Sequence, residues 1–200
     1  MPKRTSHPTG RPPVTSRTEL ERTALALFTT RGFAETTVDD IARATGIARR
    51  TFFRYFRSKN DVVWGEFDAL LRELESWLDS ADDGTPLLAT VRDAVIRFNT
   101  FPPEAAPSHR QRMSLILYVP ALQAHSTLRY AHWREVVARF AAKRLDRPTA
   151  GLAPQLVGHL ALAAAIAAYE QWLLQPDGRL EALLADAFDA IGEVDLRALP

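Results

Sequence analysis

The stretch TTVDDIARATGIARRTFFRYFRSK, residues 36–59, constrains this chain most because it combines helix caps, a glycine turn and a basic aromatic helix. Thr36 and Thr37 are suited to cap a helix, since a hydroxyl oxygen accepts an otherwise unpaired backbone N–H. Asp39 and Asp40 follow in the first turn, where the helix dipole favours negative charge. We therefore predict that a short helix begins here.

A tight turn and a second helix follow. Gly46 is predicted to end the first helix because glycine adopts the left-handed conformation at little steric cost. The second helix is predicted over residues 48–56, where Phe52 and Phe56 are four residues apart and share a buried face. Two short helices joined in this way are typical of a helix-turn-helix that enters a DNA groove.

The other face of the second helix is basic. Arg50 and Arg54 share it, with Arg49 and Thr51 near the N-terminal end. Side chains at that end reach base edges first, and the planar guanidinium matches the two acceptors of guanine. We therefore predict base contacts from Arg49, Arg50 and Thr51. The alternative is an amphipathic surface helix with solvated arginines.

The same stretch resembles the DNA-binding domain of the tetracycline-repressor (TetR) family of bacterial regulators. The family pattern is a Gly-Phe after the first helix, then T-T-x-x-x-I-A-x-x-x-G-[VI], then T-[LF]-[YF]-x-[YH]-F-x-x-K. The corresponding residues here are Gly32-Phe33, Thr36-Thr37, Ile41-Ala42, Gly46-Ile47, Thr51 to Phe56, and Lys59. A narrower resemblance joins Arg49 to Phe56 and Ser58 to Trp64 with TetR-type regulators of the actinobacterial mycofactocin system.

One departure from the family pattern affects the predicted phosphate contacts. Many members carry a tyrosine whose hydroxyl bonds a phosphate at the position of Phe53, which lacks that hydroxyl. We therefore predict that the DNA backbone is contacted by other residues of the domain, namely Thr37, Arg54, Tyr55, Lys59 and Arg17.

The N-terminal part of the chain is basic and the remainder is acidic. Residues 1–60 hold 12 Lys and Arg against 5 Asp and Glu, whereas residues 61–200 hold 13 against 19. The excess positive charge that could bind nucleic acid is thus confined to the N-terminal third. This distribution argues against a non-specific architectural DNA protein. We predict a disordered basic arm over residues 1–15, a DNA-binding domain over 16–60 and a ligand-binding and dimerisation domain over 61–200.

The arm contains Lys3, Arg4 and the triplet Gly10-Arg11-Pro12. An arginine between glycine and proline suits a narrow minor groove, so we expect Lys3, Arg4 and Arg11 to contact DNA there. An ordinary solvated tail is the alternative.

Helical periodicity without strand alternation predicts an all-α fold of about nine helices, as the TetR resemblance also implies. A first helix is predicted over residues 16–31 and a connector over 60–79. Further helices are predicted over 87–101, 109–119, 126–145, 154–175 and 180–191, several of them bounded by prolines.

The last two predicted helices are rich in small and apolar residues, which let helices approach closely. They could form a four-helix dimer interface or the core of a monomer, and the TetR resemblance implies the dimer. A two-fold dimer also presents two recognition helices about one DNA turn apart. The seam residues that we predict are Leu160, Ala164, Ala168, Leu184 and Phe188.

The middle helices hold aromatic and cationic residues of the kind that line a ligand pocket. In the TetR family a pocket lies in this region, and we predict a lining of Phe98, Arg110, Arg112, Met113, Tyr118, Tyr130 and Trp133. The narrower resemblance implies a long-chain acyl-coenzyme A (acyl-CoA), with Arg110 and Arg112 near its phosphates. Taken singly, these residues also fit a core or a solvated face.

The resemblance implies a cytoplasmic repressor released by a small-molecule effector. An activator, or a repressor with a different small apolar effector, remains open. The chain has no cysteine, and its four histidines beyond residue 100 lack metal-ligand spacing. No nucleophile elbow, phosphate-binding glycine loop or HExxH motif is present, so we expect no enzymatic activity, cofactor or metal. The longest apolar run, residues 156–174, is interrupted by polar side chains, so we predict a buried helix and no membrane partner.

Overall fold

The computed structural model describes residues 16–192, which form helices without strands in two units that divide between Val63 and Trp64. Ten α-helices lie within the described range, so the predicted all-α fold is confirmed. They are α1 (Arg17–Arg31), α2 (Val38–Ala44), α3 (Arg49–Tyr55), α4 (Lys59–Trp64), α5 (Phe67–Asp79), α6 (Leu87–Phe98), α7 (Ala106–Tyr118), α8 (Pro120–Leu145), α9 (Leu152–Leu174) and α10 (Leu180–Ile191).

The first unit packs α1, α2 and α3 around one apolar core. Leu20 and Phe28 of α1, Ile41 of α2 and Phe52 of α3 are all at most 2% exposed. The ring centroids of Phe28 and Phe33 lie 4.8 Å apart, which places the Gly-Phe turn after α1 against the same core. Burial of these side chains fixes the angle between the two short helices.

The predicted connector over residues 60–79 is wrong as one helix, because it is broken between α4 and α5. Gly65 takes a φ of +52°, in the left-handed region that interrupts a right-handed helix. The guanidinium of Arg112 lies against Gly65, with its Cζ and Nη2 3.2 and 3.3 Å from the position that a Cβ would take. A glycine within an otherwise helical pattern gives little warning of such a break.

Two helices begin earlier than predicted because proline starts them. The helix before Pro120 ends as predicted, at Tyr118, but Pro120 is also the first residue of α8, and Pro107 lies in the first turn of α7. The backbone N–H of the first helical residue has no hydrogen-bond partner within the helix, so proline loses nothing by lacking it. The fixed φ of proline is also close to the helical value. A 3₁₀ turn, Pro103–Ala105, leads into α7.

In the second unit, α8 and α10 pack on α9, and α5 packs on α6 and α8. By length and composition alone α9 could cross a membrane, but half of its most apolar window is buried within the unit. This burial is the pattern of a core helix.

Candidate DNA-binding surface and effector site

The helix-turn-helix is fixed at both ends of α2. The Thr37 hydroxyl oxygen accepts the backbone N–H of Asp40 at 3.1 Å, and the Asp40 carboxylate accepts the backbone N–H of Thr37 at 3.0 Å. The Thr37 hydroxyl also donates to that carboxylate, and these bonds with the nearby Arg43 hold the pKa of Asp40 below its usual range. At the other end, Gly46 has a φ of +67°. Thr37 is thus a reciprocal cap, and its role as a phosphate contact stays a prediction.

Helix α3 separates an inner and an outer face as the sequence predicts. Phe52 is fully buried, and its ring lies 5.6 Å from that of Phe56, which is 3% exposed. Arg49, Arg50 and Arg54 are exposed, and Thr51 is half-buried. The chain therefore presents a basic surface at the N-terminal end of α3.

Arg49 already has a partner in the absence of DNA. Its Nη1 lies 2.9 Å from the Asp39 carboxylate, and its guanidinium stands 5.5 Å from the Phe53 ring. Phe53 is 44% exposed, so it contributes an apolar surface beside the arginine. An ion pair this exposed is weak, so Arg49 can exchange Asp39 for a base at little cost.

Three of the predicted phosphate contacts, Arg17 of α1 with Arg54 and Tyr55 of α3, meet at the C-terminal end of α3. Arg17 donates to the Tyr55 carbonyl at 3.1 Å and stacks 4.5 Å from the Phe56 ring, so it caps the recognition helix. The guanidinium of Arg54 lies 5.2 Å from the Tyr55 ring. Their contacts with phosphate stay predictions.

Lys59 has an internal role that the sequence did not reveal. Its ammonium donates to the carbonyls of Phe33 at 2.7 Å, Thr36 at 3.0 Å and Ala34 at 3.3 Å. It also stands 4.5 Å from the Phe33 ring centroid. An ammonium has three donors, so Lys59 ties α4 to the turn between α1 and α2, and a phosphate would compete with these carbonyls.

Replacing Lys59 by methionine is expected to lower the free energy of unfolding by about 1–3 kcal/mol, because charge-assisted bonds to three carbonyls are lost. Denaturant unfolding of the full chain measures this change. Arg57→Met removes a cation from an exposed side chain two residues away and controls for net charge. Unchanged stability, with a log–log salt slope of DNA binding reduced by about one, would instead favour the phosphate contact.

The predicted arm residues Lys3, Arg4 and Arg11 lie outside the described residues, and their minor-groove contacts stay a prediction.

In the second unit, three predicted pocket residues come together with two that the sequence did not suggest. We name this set the aromatic cluster: Trp64, Phe67, Phe98, Tyr130 and Trp133. Ring centroids along it are 5.1 Å apart for Trp64 and Phe67, 6.1 Å for Phe67 and Phe98, and 6.3 Å for Phe98 and Trp133. Tyr130 lies 5.8 Å from Trp64. Burial raises the pKa of Tyr130, which keeps its phenol neutral.

One cation and one unmatched donor accompany the aromatic cluster. Arg129 stands 5.4 Å from the Trp64 ring and 5.5 Å from the Phe67 ring, and its Nη1 lies 2.9 Å from the Asp68 carboxylate. The indole Nε1 of Trp64 is buried without a hydrogen-bond partner. The charge of Arg129 is thus paired with Asp68, and the indole N–H of Trp64 is an unused donor.

The predicted pocket residues of α7 are dispersed. Arg110 donates to the carbonyls of Trp172, Gln175 and Pro176 and stacks 3.9 Å from the Trp172 ring, so it caps α9. Arg112 contacts the break at Gly65. Met113 is half-buried, and Tyr118 is 54% exposed. A phosphate role for either arginine stays a prediction and would require it to leave these contacts.

A buried polar triad joins α7 and α9 to the end of α6. The Tyr169 hydroxyl donates to Oδ1 of Asn99 at 2.7 Å, and the Asn99 amide donates to the Val95 carbonyl at 2.8 Å. Tyr169 has one hydroxyl proton, so Nε2 of His109, at 2.8 Å, must be the donor to its oxygen. Burial and then the charge of Arg112 lower the pKa of His109 to about 4.

Unfolding should be pH-dependent because of His109. An unfolded histidine titrates near its ordinary pKa of 6.5, so the native state binds fewer protons between pH 6.5 and about 4. The contribution to stability is complete above pH 6.5 and falls by roughly 3 kcal/mol towards pH 4. His109→Gln keeps an amide donor but does not titrate, so its unfolding free energy should fall less over this range. Equal pH slopes would contradict the buried neutral imidazole.

The predicted seam residues serve the fold of a single chain. Ala164, Ala168, Leu184 and Phe188 are at most 6% exposed, and Leu160 is half-buried. The side chains that α9 leaves to solvent include Ala163, Ala167 and, at its two ends, Leu152 and Leu174. The contacts of the predicted residues across a dimer seam stay a prediction, and the exposed side chains of α9 are the ones that a second copy could reach without rearrangement.

Sequence reasoning missed Asp39, Trp64, Phe67 and Gly65 as parts of the sites. Trp64 and Phe67 belong to an apolar stripe that reads as ordinary core, and only the fold brings them to Tyr130. Among residues 16–192, no group of three or more His, Asp or Glu side chains is placed to hold a metal ion.

Comparison with known families matches both units of the chain. Residues 22–63 match the family described as bacterial regulatory proteins, tetR family, and residues 85–195 match the MftR C-terminal domain. The sequence is 46% identical over 169 residues to Mycobacterium tuberculosis MftR, a protein whose name assigns it to the regulation of mycofactocin biosynthesis. That alignment covers 84% of this chain and 85% of the relative.

Solved structures share the fold at low sequence identity. FadR of Bacillus halodurans, a fatty acid degradation regulator, aligns with a TM-score of 0.60 at 15% identity, covering 94% of this chain and 96% of that one. Thermus thermophilus FadR, solved in complex with lauroyl-CoA, aligns with a TM-score of 0.57 at 20% identity, covering 92% and 96%. With both units matched, the chain belongs to the TetR family of bacterial transcriptional regulators and carries an MftR-type C-terminal domain.

Proposed function

We propose that this regulator binds a two-fold operator as a homodimer, in the cytoplasm, and that a small apolar effector releases it from DNA. The observation that carries the proposal is the exposed basic end of α3, opposite a fully buried Phe52. A helix held in this way can enter the major groove with Arg49 and Arg50 leading. Phosphate contacts from residues such as Arg54 supply affinity without sequence preference.

Dimerisation is supported by the exposed apolar face of α9. Leu152 is 54% exposed and Leu174 is 71% exposed, with small exposed residues such as Ala163 and Ala167 between them. One helix-turn-helix covers few base pairs, so two copies are needed for a selective site. A two-fold seam along α9 brings the same face of each copy together.

The aromatic cluster is our candidate effector site, and a long-chain acyl-CoA is the candidate effector. Rings with one unused donor suit a largely apolar molecule. The same fold holds lauroyl-CoA in the FadR of Thermus thermophilus. Effector binding at Trp64 would act on the last residue of α4, which follows α3 closely in the chain.

The proposal is tested by fluorescence anisotropy with duplexes from the region upstream of the regulator's own gene and of mycofactocin biosynthesis genes. We expect one duplex to bind at least about 10³-fold more tightly than a scrambled duplex at the same salt concentration. Sedimentation of the complex should give two chains per site. Equal affinity for all duplexes would overturn the proposal of a specific operator.

A further inference from the structure

Trp64 occupies a position in which its polar group is unsatisfied. It is the last residue of α4, is 7% exposed and contacts the rings of Phe67 and Tyr130. Its indole Nε1 is buried and has no hydrogen-bond partner. Native proteins pair nearly all such groups, because an unpaired buried donor is unfavourable. The unpaired donor therefore requires a function or a missing partner.

The surroundings of Trp64 indicate what that partner is. No acceptor among the described residues reaches Nε1, and the phenol of Tyr130, the tyrosine of the aromatic cluster, hydrogen-bonds with Ser126. Arg129 stands over the Trp64 ring but is balanced by Asp68 at 2.9 Å. A neutral acceptor matches the uncharged indole donor without the desolvation cost of burying a carboxylate.

We propose that Trp64 Nε1–H donates a hydrogen bond to the acyl carbonyl oxygen of the effector, whose apolar chain lies against the aromatic cluster. This inference rests on the proposed function, since it takes the aromatic cluster as the effector site. Trp64 is then the residue that distinguishes an acyl group from an alkyl group of equal length. The indole N–H gains a hydrogen bond when an acyl carbonyl binds, but stays unpaired when an alkyl chain binds. The site therefore selects an acyl group over an alkyl group.

Trp64 directly precedes the break between α4 and α5. Gly65, the next residue, has a φ of +52° and lies against the Arg112 guanidinium. A side chain at this position would be strained by the positive φ, and Arg112 of α7 would have to move away from it. A hydrogen bond at Trp64 acts on the residue adjoining this break.

The first test uses the unmodified protein and two ligands of equal chain length. Palmitoyl-CoA carries a thioester carbonyl, and S-hexadecyl-CoA replaces that carbonyl by a methylene group. Isothermal titration should show that palmitoyl-CoA binds about tenfold more tightly, because the analogue leaves Trp64 unpaired. Equal affinities would overturn the role of Trp64 but leave acyl-CoA as the effector. No binding of either ligand would overturn both this inference and the acyl-CoA proposal.

The second test removes the donor. In Trp64→Phe the two ligands should bind within a factor of about two of each other, because the variant has no indole N–H to bond the thioester carbonyl of palmitoyl-CoA. Trp133→Phe makes the same substitution elsewhere in the aromatic cluster and should retain the tenfold preference. Circular dichroism checks that both variants fold, and the two-ligand comparison on the unmodified protein stands without them. A preference retained in Trp64→Phe would assign the carbonyl to another donor and contradict the inference.

Discussion

Replacing Ala168 by arginine is expected to unfold the second unit, whereas the same replacement at Ala167 should leave it folded. Ala168 is 2% exposed within the packing of α9, so an arginine there overfills the core and buries an unpaired cation. The loss should be about 3–5 kcal/mol or more, comparable with the lower end of the roughly 5–15 kcal/mol that keeps a domain folded. Ala167 is exposed, and a cation there stays in water.

Thermal unfolding followed by circular dichroism compares the stability of the two variants. Sedimentation then measures whether Ala167→Arg is a monomer or a dimer. If the dimer seam runs along the outer face of α9, Ala167→Arg should be a folded monomer. A dimeric Ala167→Arg would place the seam elsewhere, and a stable Ala168→Arg would contradict the orientation of α9.

Replacing Arg50 by alanine is expected to weaken operator binding by about 2–6 kcal/mol per dimer. One lost arginine–guanine contact costs about 1–3 kcal/mol, and a two-fold dimer loses the contact twice. Arg49→Ala should cost a similar amount, because the exposed ion pair of Arg49 with Asp39, at 2.9 Å, is given up at little cost. Sequence preference should relax at one position in each half-site.

Arg54 provides a matched control on the same helix. We assign Arg54 to phosphate, so Arg54→Ala should weaken operator and scrambled DNA alike, while Arg50→Ala should weaken the operator selectively. Anisotropy with both duplexes at one salt concentration measures the ratio. Operator affinity unchanged in both Arg49→Ala and Arg50→Ala would contradict the groove assignment.

The helix-turn-helix could be predicted because its signals are local. The cap at Thr37, the turn at Gly46 and the four-residue spacing of Phe52 and Phe56 each act within a few residues. The confirmed fold class rests on the same kind of periodicity. The internal bonds of Lys59 could not be predicted, because they join residues more than twenty positions apart.

In the second unit, sequence periodicity does not predict which face of a helix is buried. Helix α9 is apolar on nearly all sides, and alanines occur at 161, 163, 164, 165, 167 and 168. A pattern of this kind cannot distinguish the inner face from the outer one, so the predicted seam fell on buried residues. The aromatic cluster likewise depends on a contact between Trp64 and Tyr130 that only the fold creates.

The central claim is that effector and operator bind the same protein in opposition, and one thermodynamic cycle tests it. Operator affinity is measured by anisotropy with and without saturating palmitoyl-CoA, and palmitoyl-CoA affinity by calorimetry with and without operator. We predict that each ligand weakens the other by the same factor, about 5- to 150-fold. Tight binding of both, with neither affinity altered by the other ligand, would contradict the account.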